Sequence, residues 1–443
     1  MPCLSRGQCL APLLWVVSAA AVAQQPPVAR GGPETRDQQL EFTLLGGATF
    51  SDNVARASTD EEDGTIGVIG TQLKYIQESR RFKTDVDLNA AYEKYFDDTF
   101  DDGVVGGVDA SLDIGIVPER FLWVFQENFG QIQSNRFAST TPENRENINY
   151  FTTGPDIAFH LGDTMSLTLS GRHSETNYEK QNLDGQQNGG GLSLGRQLSA
   201  KSTLSMNVEA EQFEFDDEIA NPNYDRQRAF LRYDMDVART ALKVDAGYTA
   251  IDIDGEKSDG LLARVSLSRQ VSPGSTFSLS AGNEFSDSAE LFRSGQDQSG
   301  VSIETPGLDA SSDPFTNRYA SLGFDFNRHR TSFGVSLQYS KEMYETQTEL
   351  DRTITTYGLY LGRQLSPVLS ARLFGALDQR RSDDITFDDD EMRVGVNLEL
   401  AIGRTLALKF QYQLYDRDSS LAQTDYTENQ ASLFLLWSPV RSR

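Results

Sequence analysis

Groups able to do acid–base or nucleophilic chemistry are few in this chain. Three histidines, His160, His173 and His329, are scattered, and His160 and His329 stand beside short turn-like links. Only His173-Ser174 sets a base next to a hydroxyl. Adjacent residues of a strand point to opposite faces, so these two cannot form a Ser–His pair with each other. Both cysteines, Cys3 and Cys9, fall in the first ten residues, leaving no thiolate or disulfide beyond them. No Walker-type or Rossmann-type glycine loop occurs, and Gly189-Gly190-Gly191 reads as an easing of strand curvature. The expectation is a protein that is not an enzyme and uses no cofactor.

Carboxylates dominate what remains. There are 65 Asp and Glu against 40 Lys and Arg, a formal charge of −25. That balance repels phosphate backbones, and no basic run offsets it, so nucleic acid is excluded as a partner. Acidic clusters stand at Asp60-Glu61-Glu62-Asp63, at Asp97-Asp98 with Asp101-Asp102, at Glu214 with Asp216-Asp217-Glu218, and at Asp388-Asp389-Asp390-Glu391. Such oxygen ligands suit calcium or magnesium, the ions that bridge lipopolysaccharide phosphates. None of the clusters has an EF-hand frame, so no metal site is assigned, and solvated loop charge is the stronger reading.

The elements that must carry these groups have a period of two. Phe82, Val86, Leu88, Ala90 and Tyr92 alternate with Lys83, Asp85, Asp87, Asn89 and Glu93. Val108, Ala110, Leu112, Ile114 and Ile116 alternate with Asp109, Ser111 and Asp113, and Leu406, Leu408, Phe410, Tyr412 and Leu414 with Lys409, Gln411 and Gln413. No stretch beyond residue 23 holds a 3.6-residue period. Short links fall near 78–80, 117–120, 161–163, 197–202, 238–240, 270–275, 328–330, 364–368 and 403–404. Longer polar segments fall between them, at about 51–63, 97–103, 132–147, 175–188, 214–225, 252–259, 285–316, 342–353, 380–391 and 416–428. Gly195-Arg196-Gln197-Leu198-Ser199, Ser268-Arg269-Gln270-Val271-Ser272 and Gly362-Arg363-Gln364-Leu365-Ser366 repeat one turn pattern.

One short link for each long one is the signature of an up-and-down antiparallel sheet. A sheet with one apolar face must bury it against a second sheet, helices or lipid. No helices are offered, and so many ionisable groups cannot share a dry core. The expected fold is all-β: a transmembrane antiparallel β-barrel of about 20 strands (18–20), each about 9–11 residues long, with short periplasmic turns and longer extracellular loops.

The second face would then line a water-filled lumen. Its basic members are Lys83, Arg172, Arg228, Arg232, Lys243, Arg264, Arg372, Arg393 and Lys409. Its acidic members are Asp85, Asp87, Asp109, Asp113, Glu209, Glu211, Asp234, Asp236, Asp245 and Glu399. Such a wall would favour cations or neutral solutes, and it equally admits cross-strand ion pairs with no transport role. The longest loop, 285–316, is a candidate to fold inward as a constriction.

Aromatic residues near strand ends, among them Tyr92, Tyr95, Phe96, Phe121, Trp123, Tyr150, Tyr412, Tyr415 and Trp437, read as interfacial girdles. Residues 1–23 read as a signal peptide, with Arg6, an apolar run from Leu10 and the Ala21-Val22-Ala23 site. Residues 24–38 read as a disordered lead-in, too short for a folded plug, and 39–443 as a single barrel domain. Gln430, Ser432, Leu435 and Trp437 approximate the last-strand signal that barrel-assembly machinery reads, although Ser432 stands where glycine is usual and six residues follow Trp437.

Several stretches resemble the porin-like outer-membrane β-barrel family encoded near exopolysaccharide biosynthesis and export genes of Gram-negative bacteria. They are Gly47-Ala48-Thr49-Phe50-Ser51-Asp52-Asn53-Val54, Ala91-Tyr92-Glu93-Lys94-Tyr95-Phe96, Pro118-Glu119-Arg120-Phe121-Leu122-Trp123, Asp313-Pro314-Phe315, Ala320-Ser321-Leu322-Gly323-Phe324 and Thr331-Ser332-Phe333-Gly334-Val335. The resemblance implies a bacterial outer-membrane location. It also implies a polar channel for polysaccharide or small hydrophilic solutes, with outer-membrane lipid, lipopolysaccharide and polysaccharide-export components as partners. The alternative is a non-conducting barrel that displays acidic, cation-binding loops.

Overall fold

A computed structural model of the chain describes residues 38–218, 221–299, 304–382 and 387–440. The signal-peptide segment and all of the lead-in before Gln38 lie outside the described residues. The wall begins with β1 (Gln38–Ser51), β2 (Gly64–Glu78), β3 (Phe82–Tyr95), β4 (Gly103–Val117), β5 (Phe121–Gln133), β6 (Arg145–His160) and β7 (Met165–Tyr178). It continues with β8 (Gly185–Ser199), β9 (Ser202–Phe215), β10 (Tyr224–Val237), β11 (Thr240–Ile253), β12 (Glu256–Ser272) and β13 (Ser275–Ser286). There the chain leaves the wall for a helix, α1 (Ser288–Ser299), and a short strand, β14 (Glu304–Asp309). The wall resumes as β15 (Phe315–Arg328), β16 (Thr331–Tyr344), β17 (Arg352–Gln364), β18 (Leu369–Ser382), β19 (Asp388–Ala401), β20 (Leu406–Ser419) and β21 (Tyr426–Val440).

Twenty of these strands form a closed antiparallel barrel: each pairs with its neighbours in the wall, β13 pairs with β15, and β1 pairs with β21. Alternation decides which face is outside. Ile69 is 66% exposed beside Val68 at 8%, and Leu433 is 51% exposed beside Phe434 at 3%. The exposed set, including Leu261, Leu359, Leu373 and Leu435, rings the exterior, while the buried and polar set faces inward. All the expected short links lie at one end of the barrel, and the three repeated turn patterns close β8, β12 and β17 at that end.

Closure is built on the inner side of the β1–β21 seam. Thr43 and Thr49 pair with Ser438 and Ser432, each at 2.8 Å, and Ser51 donates to Glu428 at 2.6 Å. A Cβ at Gly47 would overlap the Leu433 carbonyl oxygen and the Phe434 ring. Only glycine lets the two strands meet there.

Four expectations need correction. The wall strands run 12 to 17 residues, from β13 to β12, because they continue above the apolar band with the backbone still paired. The expected loop at 252–259 is instead a two-residue turn, in which Asp254 and Gly255 both have positive φ, 51° and 91°, as an Asp-Gly hairpin requires. Glu214 and the Asp388–Glu391 cluster lie in β9 and β19, not in loops. Tyr95, Tyr150 and Tyr415 fall in phase with the inward set, so they are not girdle residues; Tyr95 packs edge-on to Phe100.

Two outcomes test this architecture. Leu359→Arg, in mid-band on β17, is expected to destabilise the barrel in lipid vesicles by about 2–4 kcal/mol, read by denaturant titration. Gly47→Val is expected to lower the temperature at which the barrel loses its compact migration in detergent gels, whereas Gly46→Val, with open space around its Cβ, leaves it unchanged.

Candidate functional site

The candidate site is the inner wall together with two loops that fold into the long-loop end of the barrel. On β9 to β13 the expected inward residues come together as an ion-pair ladder. Arg228 contacts Glu209 and Glu211, each at 3.0 Å. Arg232 forks onto Asp245, with Nε 2.8 Å from Oδ1 and Nη2 2.9 Å from Oδ2. Arg264 shares Asp245 at 2.7 Å and reaches Glu284 at 2.9 Å. Phe230 lies beneath both guanidiniums, at 5.2 Å from Arg232 and 5.4 Å from Arg264.

The other expected residues are spread round the wall. Arg172 pairs with Asp156 at 2.7 Å, Asp87 with Lys74 at 3.0 Å, and Asn128 donates to Asp109 at 3.3 Å. Arg372 stands 4.0 Å over the Tyr360 ring, whose hydroxyl donates to Asp325. Arg393 faces Tyr415 across the β19–β20 pair, and Glu399 stands opposite Lys409. Lys83 lies opposite Asp113, and Asp234 opposite Lys243, in direct register. Among the described residues neither of those two pairs closes to an ion pair, and Asp85 makes none. His173 and Ser174 point apart: the imidazole contacts Asn188 outside, and the hydroxyl pairs with Thr152 inside.

Sequence reasoning missed the groups that hold the inward loops. The segment after β13 crosses the mouth to the far wall, where β14 runs parallel to the end of β5, pairing Glu304 with Gln131 and Asp309 with Gln133. Between them α1 buries Phe292 completely against Ile132, Ile148, Tyr150 and Tyr178 of β5, β6 and β7. On its other side Arg226 of β10 grips Glu290 at 2.8 Å and Glu211 at 2.8 Å, with Asp287 at 3.9 Å. Asp287 caps the helix by accepting from the Glu290 N–H at 2.9 Å. Asp287-Ser288-Ala289-Glu290 is the capping-box spacing, a signal that was legible in the sequence.

The second inward loop, 134–144, joins β5 to β6 and is held through its carbonyl groups. Arg56 donates to Thr140 O at 2.6 Å and Arg417 to Ala138 O at 2.9 Å. Arg136 of the loop donates to Leu350 O at 3.0 Å, and Phe137 packs edge-on to Phe387 at 4.8 Å. Carboxylates aim these arginines: Glu428 holds Arg56 at 2.9 Å, and Asp389 holds Arg417 at 2.6 Å. Arg380 ties Asp389 to Glu391.

Electrostatics sets how firmly α1 is held. Burial pushes the Glu290 carboxyl up, but Arg226, Arg228 and Arg293 outweigh it and hold it well below the usual carboxylate range. Burial raises Asp287, Glu290 adds to the rise, and Arg226 offsets part of it. The two have opposite signs in linkage. The Glu290 contribution is present above the ordinary glutamate value of about 4.3 and lost as pH falls through its depressed value; that of Asp287 is lost as pH rises through its raised one.

Residues 329–436, from the turn before β16 to Leu436 in β21, match the family described as "Putative beta-barrel porin 2". None of the curated proteins matches the chain. Among solved structures it is similar to the siderophore receptor PirA from Pseudomonas aeruginosa, at 11% identity over 90% of this chain and 80% of that one, with a TM-score of 0.44. It is similar to the FrpB iron transporter from Neisseria meningitidis, at 10% identity over 90% and 81%, with a TM-score of 0.45. A third similar structure is OccK2 (OpdF) from Pseudomonas aeruginosa in complex with glucuronate, at 10% identity over 91% and 99%, with a TM-score of 0.39.

Arg226→Ala leaves Glu211, Asp287 and Glu290 facing one another, and removal of one partner from a buried cluster is costly. Chymotrypsin cleavage after Phe292 in the folded barrel is expected to accelerate at least tenfold. In the wild type, pepsin cleavage there is expected to rise only as pH falls below about 4. Mass spectrometry of the fragments reads both; unchanged cleavage in the variant would mean that Phe292 packing alone holds the helix.

Proposed function

We propose that this chain is an outer-membrane, porin-like channel that passes small hydrophilic solutes through an entrance narrowed by the inward loops. One observation carries the reading: a closed wall places apolar side chains round its outside and ionisable side chains round its inside, the arrangement a barrel in lipid needs around an aqueous lumen. The short-turn end then faces the periplasm, and 134–144, α1 and β14 stand at the outer mouth. The lumen-lining role falls to the inward set, from Lys83, Asp85 and Asp87 on β3 to Lys409 on β20. Outer-membrane lipid and lipopolysaccharide are the partners of the apolar band, and barrel-assembly machinery is the partner of β21.

A polysaccharide is the wider alternative cargo, with polysaccharide-export components as partners, and it requires both loops to swing clear. The inward loops also favour a second reading, a non-conducting barrel that displays the acidic loops at 60–63 and 97–102. Planar-bilayer recording separates these. The expected result is stepwise conductance with a reversal potential that shows cation preference under a KCl gradient, and larger steps in a variant with 288–312 replaced by a short glycine-serine link. Absence of steps from both correctly folded proteins would overturn the channel reading and leave the second.

A further inference from the structure

Between α1 and wall strands β6 to β10 lies a small cleft with about 30 Å³ of internal space. Five aromatic side chains line it, Tyr150, Tyr178, Phe213, Phe215 and Tyr224, together with Asp287. Among the described residues no lysine or arginine is in the lining. Phe213 and Tyr224 stack at 4.2 Å, and the Tyr224 hydroxyl donates to Asp287 at 3.3 Å. These rings already attract cations from the protein itself. The Arg226 guanidinium lies 4.9 Å over Phe213, and that of Arg293 lies 5.7 Å over Tyr150. The ring faces are electron-rich, and a desolvated cation over them is attracted to the quadrupole.

The local charge has the same sign preference. Arg226, Arg228 and Arg293 stand among four carboxylates, Glu209, Glu211, Asp287 and Glu290, one more than they neutralise. Asp216, Asp217 and Glu218 follow β9 at the same end of the barrel and add to the field. An anion would meet Asp287 and Glu214 in the lining, and Arg226, the nearest guanidinium to Asp287, is already held by Glu211 and Glu290. A neutral ligand would leave the surplus charge uncompensated.

We propose that this cleft is a binding site for a small organic cation of the ammonium class, seated against the aromatic side chains with its charge beside Asp287. The site does not depend on conduction, because the cleft is complete in a barrel whose loops are in place. Its size suits a ligand of a few heavy atoms with an apolar shell round the charge.

Calorimetric titration of the refolded barrel in detergent with choline chloride tests this. Its uncharged isostere 3,3-dimethylbutan-1-ol and glucose are the comparison ligands. Choline is expected to bind, and the isostere at least tenfold more weakly, with no glucose signal. Asp287→Asn is expected to weaken choline at least tenfold while keeping α1, since asparagine caps a helix as aspartate does. Tyr178→Leu, with Asp287 intact, is expected to weaken it as well, and compact migration in detergent gels shows that both variants are folded. No choline binding by the folded wild type would overturn the proposal. So would equal affinity for the isostere, binding of glucose instead, or unchanged affinity in both variants.

Discussion

Everything in this molecule depends on closing a sheet that has no unpaired edge. A sheet whose outer face meets an apolar medium cannot leave a row of N–H and C=O groups unpaired, because each such group costs several kcal/mol there. The β1–β21 seam therefore decides whether the other nineteen wall pairings can exist as a barrel. Hydroxyl pairs between Thr43 and Ser438 and between Thr49 and Ser432, all at inward positions, bridge the seam from inside. Asp52 and Asn53, just past β1, fasten the first loop to β21 through Asn429 and the Thr427 carbonyl. The stretch around Asn53 that carries the family resemblance is thus the lock of the closure.

Once the wall is closed, its inner charges are constrained as a set. A buried ion pair is weak evidence of stability, since desolvation offsets most of the attraction. What the pairs in β9 to β13 provide is position. Asp245 holds two guanidiniums in fixed planes over Phe230, and Glu211 holds Arg226 where it meets α1. The arginines of β20 and of the first loop reach the second inward loop through its carbonyl oxygens, which carry no charge to repel a solute. Both loops are tied by guanidinium groups, whose planar array of donors can meet a carboxylate and a carbonyl at once.

How far the fold was legible follows from which side of each residue meets an apolar medium. Within the apolar band the outer neighbour differs sharply from the inner one, so Phe82 to Tyr92 and Leu406 to Leu414 announced their strands and faces. Above the band both neighbours are polar, and the alternation carries no hydropathy signal. Asp388 and Asp390 point outward while Asp389 and Glu391 point inward, yet all four look like loop. The same blindness turned the β11–β12 hairpin into an expected loop, although Asp254-Gly255 was a turn signal in its own right. Helix α1 escaped because its twelve residues bury few apolar side chains, Leu291 and Phe292 foremost, too few to establish a 3.6-residue period. The inward face could be listed by parity, but its partners could not. Arg226 and Glu290 are 64 residues apart and meet only because the segment after β13 turns into the mouth instead of away from it.

That inward turn also explains why the wall needs to be taller than its apolar band. A loop that crosses the mouth needs walls on both sides to receive it, and those walls must stay rigid above the apolar band. The extended ends of β5, β6 and β7 supply an apolar seat in Ile132, Ile148, Tyr150 and Tyr178, and the extended start of β10 supplies Arg226. Were these strands only about 9–11 residues long, as a membrane strand requires, the seat and the clamp would both be absent and α1 would have nothing to fold against. The excess of acidic residues follows from the same geometry. The tall rim carries charge on both faces, and the carboxylates left over after the arginines are satisfied surround the mouth rather than the apolar band.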